Sequence, residues 1–409
     1  MDTREFTLEA FDAYERRFAE ARAARPLTKP WLAEDRAEIL AGVKRMLRFD
    51  EALVPQISQP ETVCETDCGG FTVTEYRYCT WEHVCGAATL YLPHGGEPKP
   101  LVFVCCGHGA QGRQTPTYAA MGRRLAELGM AAIVIDNLGQ GDRNPYPEFK
   151  NRGHWLAVAP FACGLTLQGL IVAETLALIR HMKNDPRFDP DRFAACGNSG
   201  GGTLTMFLAA LAPELSVLAS SGYPSELSYV LQKEKAHCAC NLLCGAAHGP
   251  EMWEIYSLFA PKPLLLSAGK SDKLFAPESV LRCGRKVRTC YAMAGAEDSF
   301  EFKRTDTGHS WEAEDVSVIS DFLSRRLLGK EAAPIDAFPS QCTQSVPMPS
   351  DAIDAETLAQ RLTGVHVPEG TALEDVFPPM LAGKPLTAAQ LEGEKTMRIF
   401  AQYEFTLQE

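Results

Sequence analysis

The central part of the chain alternates short apolar runs with segments whose apolar residues recur at helical spacing. Most of the runs carry no polar face, which is typical of strands buried on both sides. They are LVFVCC (101–106), AAIVID (131–136), the run 193–197, LSVLASS (215–221), KPLLLSAG (262–269) and SFEFKR (299–304). Helices are predicted between them, near 116–128, 164–183, 277–287 and 311–327. This alternation predicts an α/β protein with a mostly parallel central sheet covered by helices on both faces.

Both ends of the chain depart from this alternation. Residues 1–50 carry apolar residues at helical spacing, broken by prolines, and are predicted to form an N-terminal helical segment. Two segments of period-two alternation, 71–81 and 88–93, are typical of a hairpin or meander at a sheet edge. The α/β domain is therefore predicted at 51–328, followed by a linker and a partly helical tail at 329–409. Helices are predicted in that tail at 354–362 and from 387 to about 402.

Two connections, 137–163 and 222–251, are too long for ordinary links between a strand and a helix. In a sheet of this kind both follow the carboxyl ends of strands, which is where ligands bind. We therefore expect them to form the walls or the lid of a pocket.

Composition narrows the classes of partner. The 409 residues carry a net charge of −12, which disfavours nucleic acid and acidic membrane surfaces. No apolar run approaches the roughly 18 residues that span a bilayer. The first residues are charged and include no apolar signal region, so a cytoplasmic location is expected. A homo-oligomer formed through the N-terminal helices or the C-terminal tail is a further expectation.

Many of the 14 cysteines lie in apolar surroundings and are expected to be buried, reduced thiols that pack as small apolar residues. The cluster from His237 to Cys244 has the spacing C-x-C-x3-C and lacks the paired C-x2-C of structural zinc sites. It is interpreted as a loop with partly buried thiols, and no metal is predicted. The turn 138–141 contains only G-x-G, so no nucleotide cofactor is predicted either.

The pentapeptide Gly197–Gly201, GNSGG, joins a predicted strand to a predicted helix. A G-x-S-x-G sequence at such a junction is typical of a nucleophile elbow, in which a sharp turn holds the serine at a strained backbone angle. The flanking glycines are needed because a Cβ atom there would clash with the neighbouring strand or helix. Ser199 is the predicted nucleophile.

A serine hydroxyl needs a base, and the base needs an acidic partner, in the chain order Ser, acid, His. Asp272 follows the predicted strand 262–269, and His309 follows the last predicted strand. Both are predicted to be catalytic, with Glu226 as a second candidate for the acid. The alternatives are a solvated loop aspartate and an ordinary surface histidine.

The oxyanion of the transition state needs N–H donors. The N–H of Gly200 is one candidate, and the loop 106–112 after the first central strand supplies the other. Within that loop Ala110 is preferred for this role and Gln111 is the second choice. Gln111, His154 and Trp155 are candidate substrate-binding residues, although Trp155 could instead anchor its loop on the core.

Five stretches carry a resemblance to a known superfamily: VFVCCGHGAQGR, IVIDNLGQGDR, ACGNSGGGT, APKPLLLSAGKSD and TGHSW. Together they resemble the α/β-hydrolase superfamily, and within it the acetyl xylan esterase and dienelactone hydrolase-related group. The resemblance covers roughly residues 85–328. It implies a triad of Ser199, His309 and Asp272 and ester hydrolysis through an acyl-enzyme.

The sequence thus predicts a serine hydrolase that cleaves a carboxylic ester, either a small acyl ester or an ester on an oligosaccharide. A peptidase or amidase with the same triad is one alternative, disfavoured because no repeats of propeller-blade length occur. The other is a binding protein that has the fold without the activity.

Overall fold

A nine-stranded sheet organises the described part of this computed structural model, which comprises residues 20–21, 24–58, 60–144, 158–231, 241, 243–246 and 249–368. The strands are β1 Glu61–Asp67, β2 Phe71–Cys79, β3 Cys85–Pro93, β4 Lys99–Cys105, β5 Ala131–Ile135, β6 Phe188–Asn198, β7 Val217–Ser221, β8 Leu264–Gly269 and β9 Phe300–Thr305. The α-helices are α1 Ala33–Leu47, α2 Pro116–Glu127, α3 Val158–Ala162, α4 Leu167–Met182, α5 Gly200–Leu211, α6 Leu227–Leu231, α7 Met252–Ser257, α8 Pro277–Met293, α9 Ala313–Leu328 and α10 Ala355–Thr363.

The strands lie in the order β1-β2-β3-β5-β4-β6-β7-β8-β9. The first three form an antiparallel meander, and β3 pairs antiparallel with β5. All pairs from β5 through β4 to β9 are parallel. The prediction of a mostly parallel sheet is confirmed, as is the meander at its edge. In this arrangement the carboxyl ends of β4 and β6 to β9 lie at one edge, where the loops that follow them meet.

Helices cover both faces of the sheet, which explains why its central strands are apolar throughout. Along β4, Leu101 and Phe103 join one core cluster while Val102 and Val104 join the other. The first cluster includes apolar side chains of α4, α5 and α7. The second includes those of α2 and α9. Because both faces of such a strand are buried, apolar and polar residues do not alternate along it, and its sequence is a continuous apolar run.

The chain beyond α9 runs against α9, α2 and β2 before it reaches α10. No helix or strand is assigned between 330 and 354 within these described residues. This arm (residues 330–354) is held by side chains of the body: Ser317 accepts from the N–H of Ile335, Arg123 donates to the carbonyl of Ser340, and Arg77 donates to that of Pro347. Helix α10 then packs against α3.

A buried ionic cluster fixes the middle of the arm. The fully buried Arg113 pairs with Glu75 at 3.2 Å and with Asp142 at 2.9 Å, and it donates to the carbonyl of Gln344 at 2.8 Å. Glu75 accepts from the N–H of Gln344, and Asp142 accepts from the N–H of Val346. The charges are therefore paired with one another and with the backbone of the arm, as buried ions require.

The structure also corrects several predicted boundaries. Strand β1 was missed because its sequence, ETVCETD, alternates charged residues on an exposed sheet edge. Helix α8 extends to Met293, beyond the predicted end near 287, because Cys290 and Tyr291 continue its buried face. Strand β6 begins at Phe188, well before the predicted start at 193. Residues 1–19, 22 and 23 of the predicted N-terminal helical segment, and the helix predicted from 387, lie outside the described residues. No helix in the described part of the chain is long and apolar enough to cross a membrane.

Candidate active site

Ser199 occupies a sharp turn between β6 and α5. Its backbone angles are φ 58° and ψ −119°, a left-handed conformation that is rare for a residue with a side chain. A Cβ atom on Gly197 would lie 2.4 Å from the carbonyl oxygen of Gly201, and one on Gly201 would lie 1.9 Å from that of Cys105. Both glycines are thus required by backbone contacts, which is the geometry that the sequence motif predicted.

Three of the predicted side chains lie in one hydrogen-bonded line. The Oγ of Ser199 lies 2.8 Å from Nε2 of His309, and Nδ1 of His309 lies 2.9 Å from Oδ2 of Asp272. The Asp272 side chain is 4% exposed and that of His309 is 22% exposed. The second carboxylate oxygen of Asp272 accepts from the N–H of Leu274 at 2.7 Å. The carboxylate is therefore buried and oriented, while the imidazole remains accessible from solvent.

The loops that carry Asp272 and His309 are fastened to each other. The N–H of Lys270 donates to the carbonyl of Thr305, and that of Ser271 donates to Thr307. A Cβ atom on Gly269 would lie 2.1 Å from the carbonyl oxygen of Gly308, so glycine permits this approach. These backbone contacts extend the β8–β9 pairing into the site and fix the spacing of the acid and the histidine.

The loop after β4 approaches the serine from the other side. A Cβ atom on Gly107 would lie 3.0 Å from Cβ of Ser199, and the N–H of Gly107 donates to the hydroxyl of Tyr118 at 2.7 Å. The imidazole of His108 lies against Gly200, where a Cβ atom would be 2.7 Å from Cε1. Gly200 begins α5, whose first N–H groups have no acceptor within the helix. Ala110 and Gln111 are exposed farther along this loop.

Sequence reasoning missed Asn198, whose side-chain amide reaches the histidine loop. Its Nδ2 donates to the carbonyl oxygen of His309 at 3.0 Å, and its Oδ1 accepts from Oγ of Ser221 at 3.0 Å. Asn198 is the variable residue of G-x-S-x-G, so the motif gives no signal for it. Its partners are distant in sequence and are known only from the folded structure.

Other predicted residues lie elsewhere. Glu226, the second candidate for the acid, pairs with Arg282 at 2.7 Å and accepts from the hydroxyl of Ser279. His154 and Trp155 lie outside the described residues. Within the His237–Cys244 cluster, Cys244 lies among the described residues and is buried. Its sulfur accepts a hydrogen bond from the Nε–H of Arg48. Within the described ranges, no group of three or more potential ligands is placed to hold a metal ion.

The cysteines near the elbow are buried side chains of the core. Cys105, Cys106 and Cys196 are all inaccessible to solvent. Burial raises the pKa of the Cys196 thiol well above its ordinary value, and the Cys105 thiolate nearby would raise it further. A thiol of this kind stays neutral and packs as an apolar group.

Comparison with known proteins gives relatives of low identity and a shared fold. No family model matches the chain. A Bacillus subtilis (strain 168) protein named "Putative hydrolase YtaP" is 26% identical over 234 residues, which cover 56% of this chain and 74% of that protein.

Solved structures are similar to this chain over most of its length. "Methylesterase BT1017" matches with a TM-score of 0.63 and 19% identity, over 87% of this chain and 78% of that one. A "putative acetyl xylan esterase" from Bacteroides fragilis NCTC 9343 matches with a TM-score of 0.60 and 13% identity, over 73% of this chain and 82% of that one. A glucuronoyl esterase from Solibacter usitatus matches with a TM-score of 0.54 and 12% identity, over 74% of this chain and 94% of that one. The chain has the α/β-hydrolase fold, as the sequence resemblance predicted.

Proposed function

We propose that this chain is a serine hydrolase that cleaves carboxylic esters, with Ser199 as nucleophile, His309 as base and Asp272 as its partner. The observation that carries the proposal is the line of two hydrogen bonds, 2.8 Å and 2.9 Å long, that joins these side chains. An isolated serine hydroxyl is a weak nucleophile, and this arrangement is the one that activates it.

The chemistry follows from the positions of the atoms. Nε2 of His309 accepts the proton of Ser199 as Oγ attacks the ester carbonyl, and it then donates that proton to the leaving alcohol. An acyl-enzyme remains on Oγ. Water, deprotonated by the same Nε2, hydrolyses it and regenerates the serine. The carboxylate of Asp272 holds Nδ1–H and stabilises the imidazolium that forms at each attack.

The N–H of Gly200 is the first proposed donor to the oxyanion. It begins α5, where unpaired N–H groups and the helix dipole favour negative charge. The N–H of Ala110 is the proposed second donor. The sharp, left-handed turn at Ser199 supports this role for Gly200, because it presents Oγ and the first N–H groups of the helix on the same side.

The substrate class that we propose is a small acyl ester, including esters carried by carbohydrates. Two of the three structural relatives named above are described as acetyl xylan or glucuronoyl esterases and the third as a methylesterase. Their likeness concerns the fold, so the choice of ester is an inference. The side chain of His309 is partly exposed, so a small ligand can reach the proposed base from solvent.

A fluorophosphonate probe and p-nitrophenyl acetate test the proposal together. We expect the wild-type protein to be labelled and to hydrolyse the ester, and Ser199→Ala to lose labelling and about ten-thousandfold or more in kcat. Ser216→Ala is the matched control, since that hydroxyl bonds to the carbonyl of Phe193 at the opposite end of the strands. Absence of labelling in the wild type would contradict the proposal, and faster turnover of aminoacyl amides than of esters would favour a peptidase.

A further inference from the structure

The side chain of Asn198 lies between the nucleophile and the loop that carries the histidine. Asn198 and Ser199 are adjacent, and each bonds to the same residue. Ser199 contacts the imidazole of His309 through Oγ, and Asn198 contacts its main chain through Nδ2, at 3.0 Å from the carbonyl oxygen. Two consecutive residues of the elbow thus hold both the ring and the backbone of His309.

Ser221, at the end of β7, forms a hydrogen bond with the amide oxygen of Asn198. Its Oγ lies 3.0 Å from Oδ1 of Asn198 and 2.5 Å from Nε1 of Trp311, which follows His309 by two residues. Trp311 is buried and packs edge-on against Tyr118. The loop 309–311 is consequently held at its first residue by Asn198 and at its last by Ser221.

The direction of each hydrogen bond follows from the donors available. An indole N–H can only donate, so Oγ of Ser221 accepts from Trp311. The single hydrogen of Ser221 is then directed to Oδ1 of Asn198, which is closer than its other acceptor, the carbonyl of Gly197 at 3.4 Å. With Oδ1 engaged as an acceptor, Nδ2 must point to the carbonyl of His309. The orientation of the amide is therefore determined by this network.

The neighbouring backbone leaves room for this amide. Gly222 has φ 58°, and a Cβ atom there would lie 2.2 Å from Oδ1 of Asn198. The N–H of Ser199 also donates to the carbonyl of Ser221 at 3.1 Å. The elbow, the end of β7 and the histidine loop are thus joined through one buried side chain, that of Asn198.

We propose that Asn198 is a positioning residue, which fixes the main chain of His309 so that Nε2 stays at hydrogen-bond distance from the nucleophile. Asp272 holds the opposite side of the ring through Nδ1, but a carboxylate bonded at one nitrogen still allows the ring to move with its backbone. Asn198 removes that freedom. This inference rests on the proposed function of Ser199 and His309, and it adds a residue that acts through the base rather than on the substrate.

Steady-state kinetics of Asn198→Ala test the inference. Loss of the amide lets the histidine loop shift, and a misplacement of about 1 Å can cost about a hundredfold in rate. We expect kcat for p-nitrophenyl acetate to fall about 10- to 100-fold, with KM within about twofold of wild type, because no substrate contact is removed. Ser221→Ala keeps Asn198 but removes the donor that orients it, and a smaller fall in kcat of about threefold to tenfold is expected.

Ser220→Ala is the matched control for these variants. Its hydroxyl is equally buried one residue earlier on β7, but it bonds to the hydroxyl of Tyr256 at 2.7 Å and does not contact the histidine loop. We expect its kcat to stay within about twofold of wild type even where its melting temperature falls. Equal losses of kcat in Ser220→Ala and Ser221→Ala would overturn the proposal, because they would reflect a general loss of stability.

The proton on Nδ1 of His309 provides a readout that does not depend on the substrate. Its downfield proton NMR resonance, assigned by its loss in His309→Gln, should broaden or shift in Asn198→Ala and in Ser221→Ala but persist in Ser220→Ala. Should the wild type lack esterase activity while this pattern holds, the proposed function fails and the positioning role stands. An unchanged resonance in a folded Asn198→Ala or Ser221→Ala protein overturns the positioning role. If Asn198→Ala does not fold, the kcat and the NMR resonance of Ser221→Ala still test the positioning role.

Discussion

Asp136 illustrates how burial changes the chemistry of a single residue. It follows β5, and its carboxylate is 1% exposed and accepts from the N–H groups of Arg113 and Asp142. Burial raises the pKa of this carboxyl to about 6 from its ordinary value of 3.8, although the charge and the N–H of Arg113 oppose the rise. Loss of hydration is the largest influence on this pKa, so the charged carboxylate is less favourable in the folded protein than in the unfolded chain.

A pH-dependent stability difference follows for Asp136→Asn. Because the folded pKa is raised, the contribution of this group to stability is complete below about pH 4 and is lost as the pH rises through about 6. Asparagine does not ionise. The free energy of unfolding of the variant relative to wild type should therefore rise by about 2 kcal/mol between about pH 4.5 and about pH 7.

Urea titrations at several pH values measure this difference. Asp189→Asn is a suitable control, since Arg192 holds the pKa of Asp189 below its ordinary value and the difference should change in the opposite direction. A relative stability of Asp136→Asn that is constant with pH would show that Asp136 has the same pKa in the folded and unfolded states.

At the scale of elements, the strand–turn–helix unit around Ser199 depends on glycines for two different reasons. A Cβ atom on Gly201 would lie 1.9 Å from a backbone oxygen of β4, which cannot move without disrupting the sheet. A Cβ atom on Gly200 would instead meet the ring of His108, a side chain that can rotate away. Alanine is otherwise favoured over glycine in a helix by about 1 kcal/mol.

We therefore expect Gly201→Ala to lose about 3 kcal/mol or more of unfolding free energy, while Gly200→Ala remains within about 1 kcal/mol of wild type. Chemical denaturation of the two variants side by side measures this, with each serving as the control for the other. Similar losses in both would mean that His108 is as rigid as the backbone of β4.

The elements differ in how far the sequence predicts them. Strands such as β4 and β8 are predictable because two covered faces leave a continuous apolar run. The edge strand β1 is not, because its exposed, charged residues have no pattern that distinguishes them from a loop. Ser199, Asp272 and His309 could be proposed from a local motif and from chain order. Asn198 and Ser221 could not, because their roles depend on contacts across strands that no local pattern encodes.

At the scale of the whole molecule, the arm joins β2 to the loops that follow β4 and β5. The carboxylate of Asp142 accepts from Ser345 and from the N–H of Val346, each at 2.7 Å. Asp142 itself lies at the start of the connection predicted to form a pocket wall. Arg113 holds that carboxylate and the carbonyl of Gln344 together. The ionic cluster thus fixes the arm and the beginning of this connection as one unit.

Arg113→Met should release the arm. The substitution leaves the buried Glu75 and Asp136, and the partly buried Asp142, without their shared cation, and removal of one partner from a buried ion pair costs about 3–5 kcal/mol. Cleavage by chymotrypsin after Phe338 should then be faster than in wild type, since local opening of the arm no longer breaks the Arg113 contacts. Arg326→Met is the control, because its partner Glu301 keeps the ion pair with Arg325 and the loss should stay below about 1 kcal/mol. If Arg113→Met resists cleavage as the control does, the arm is held by its other contacts.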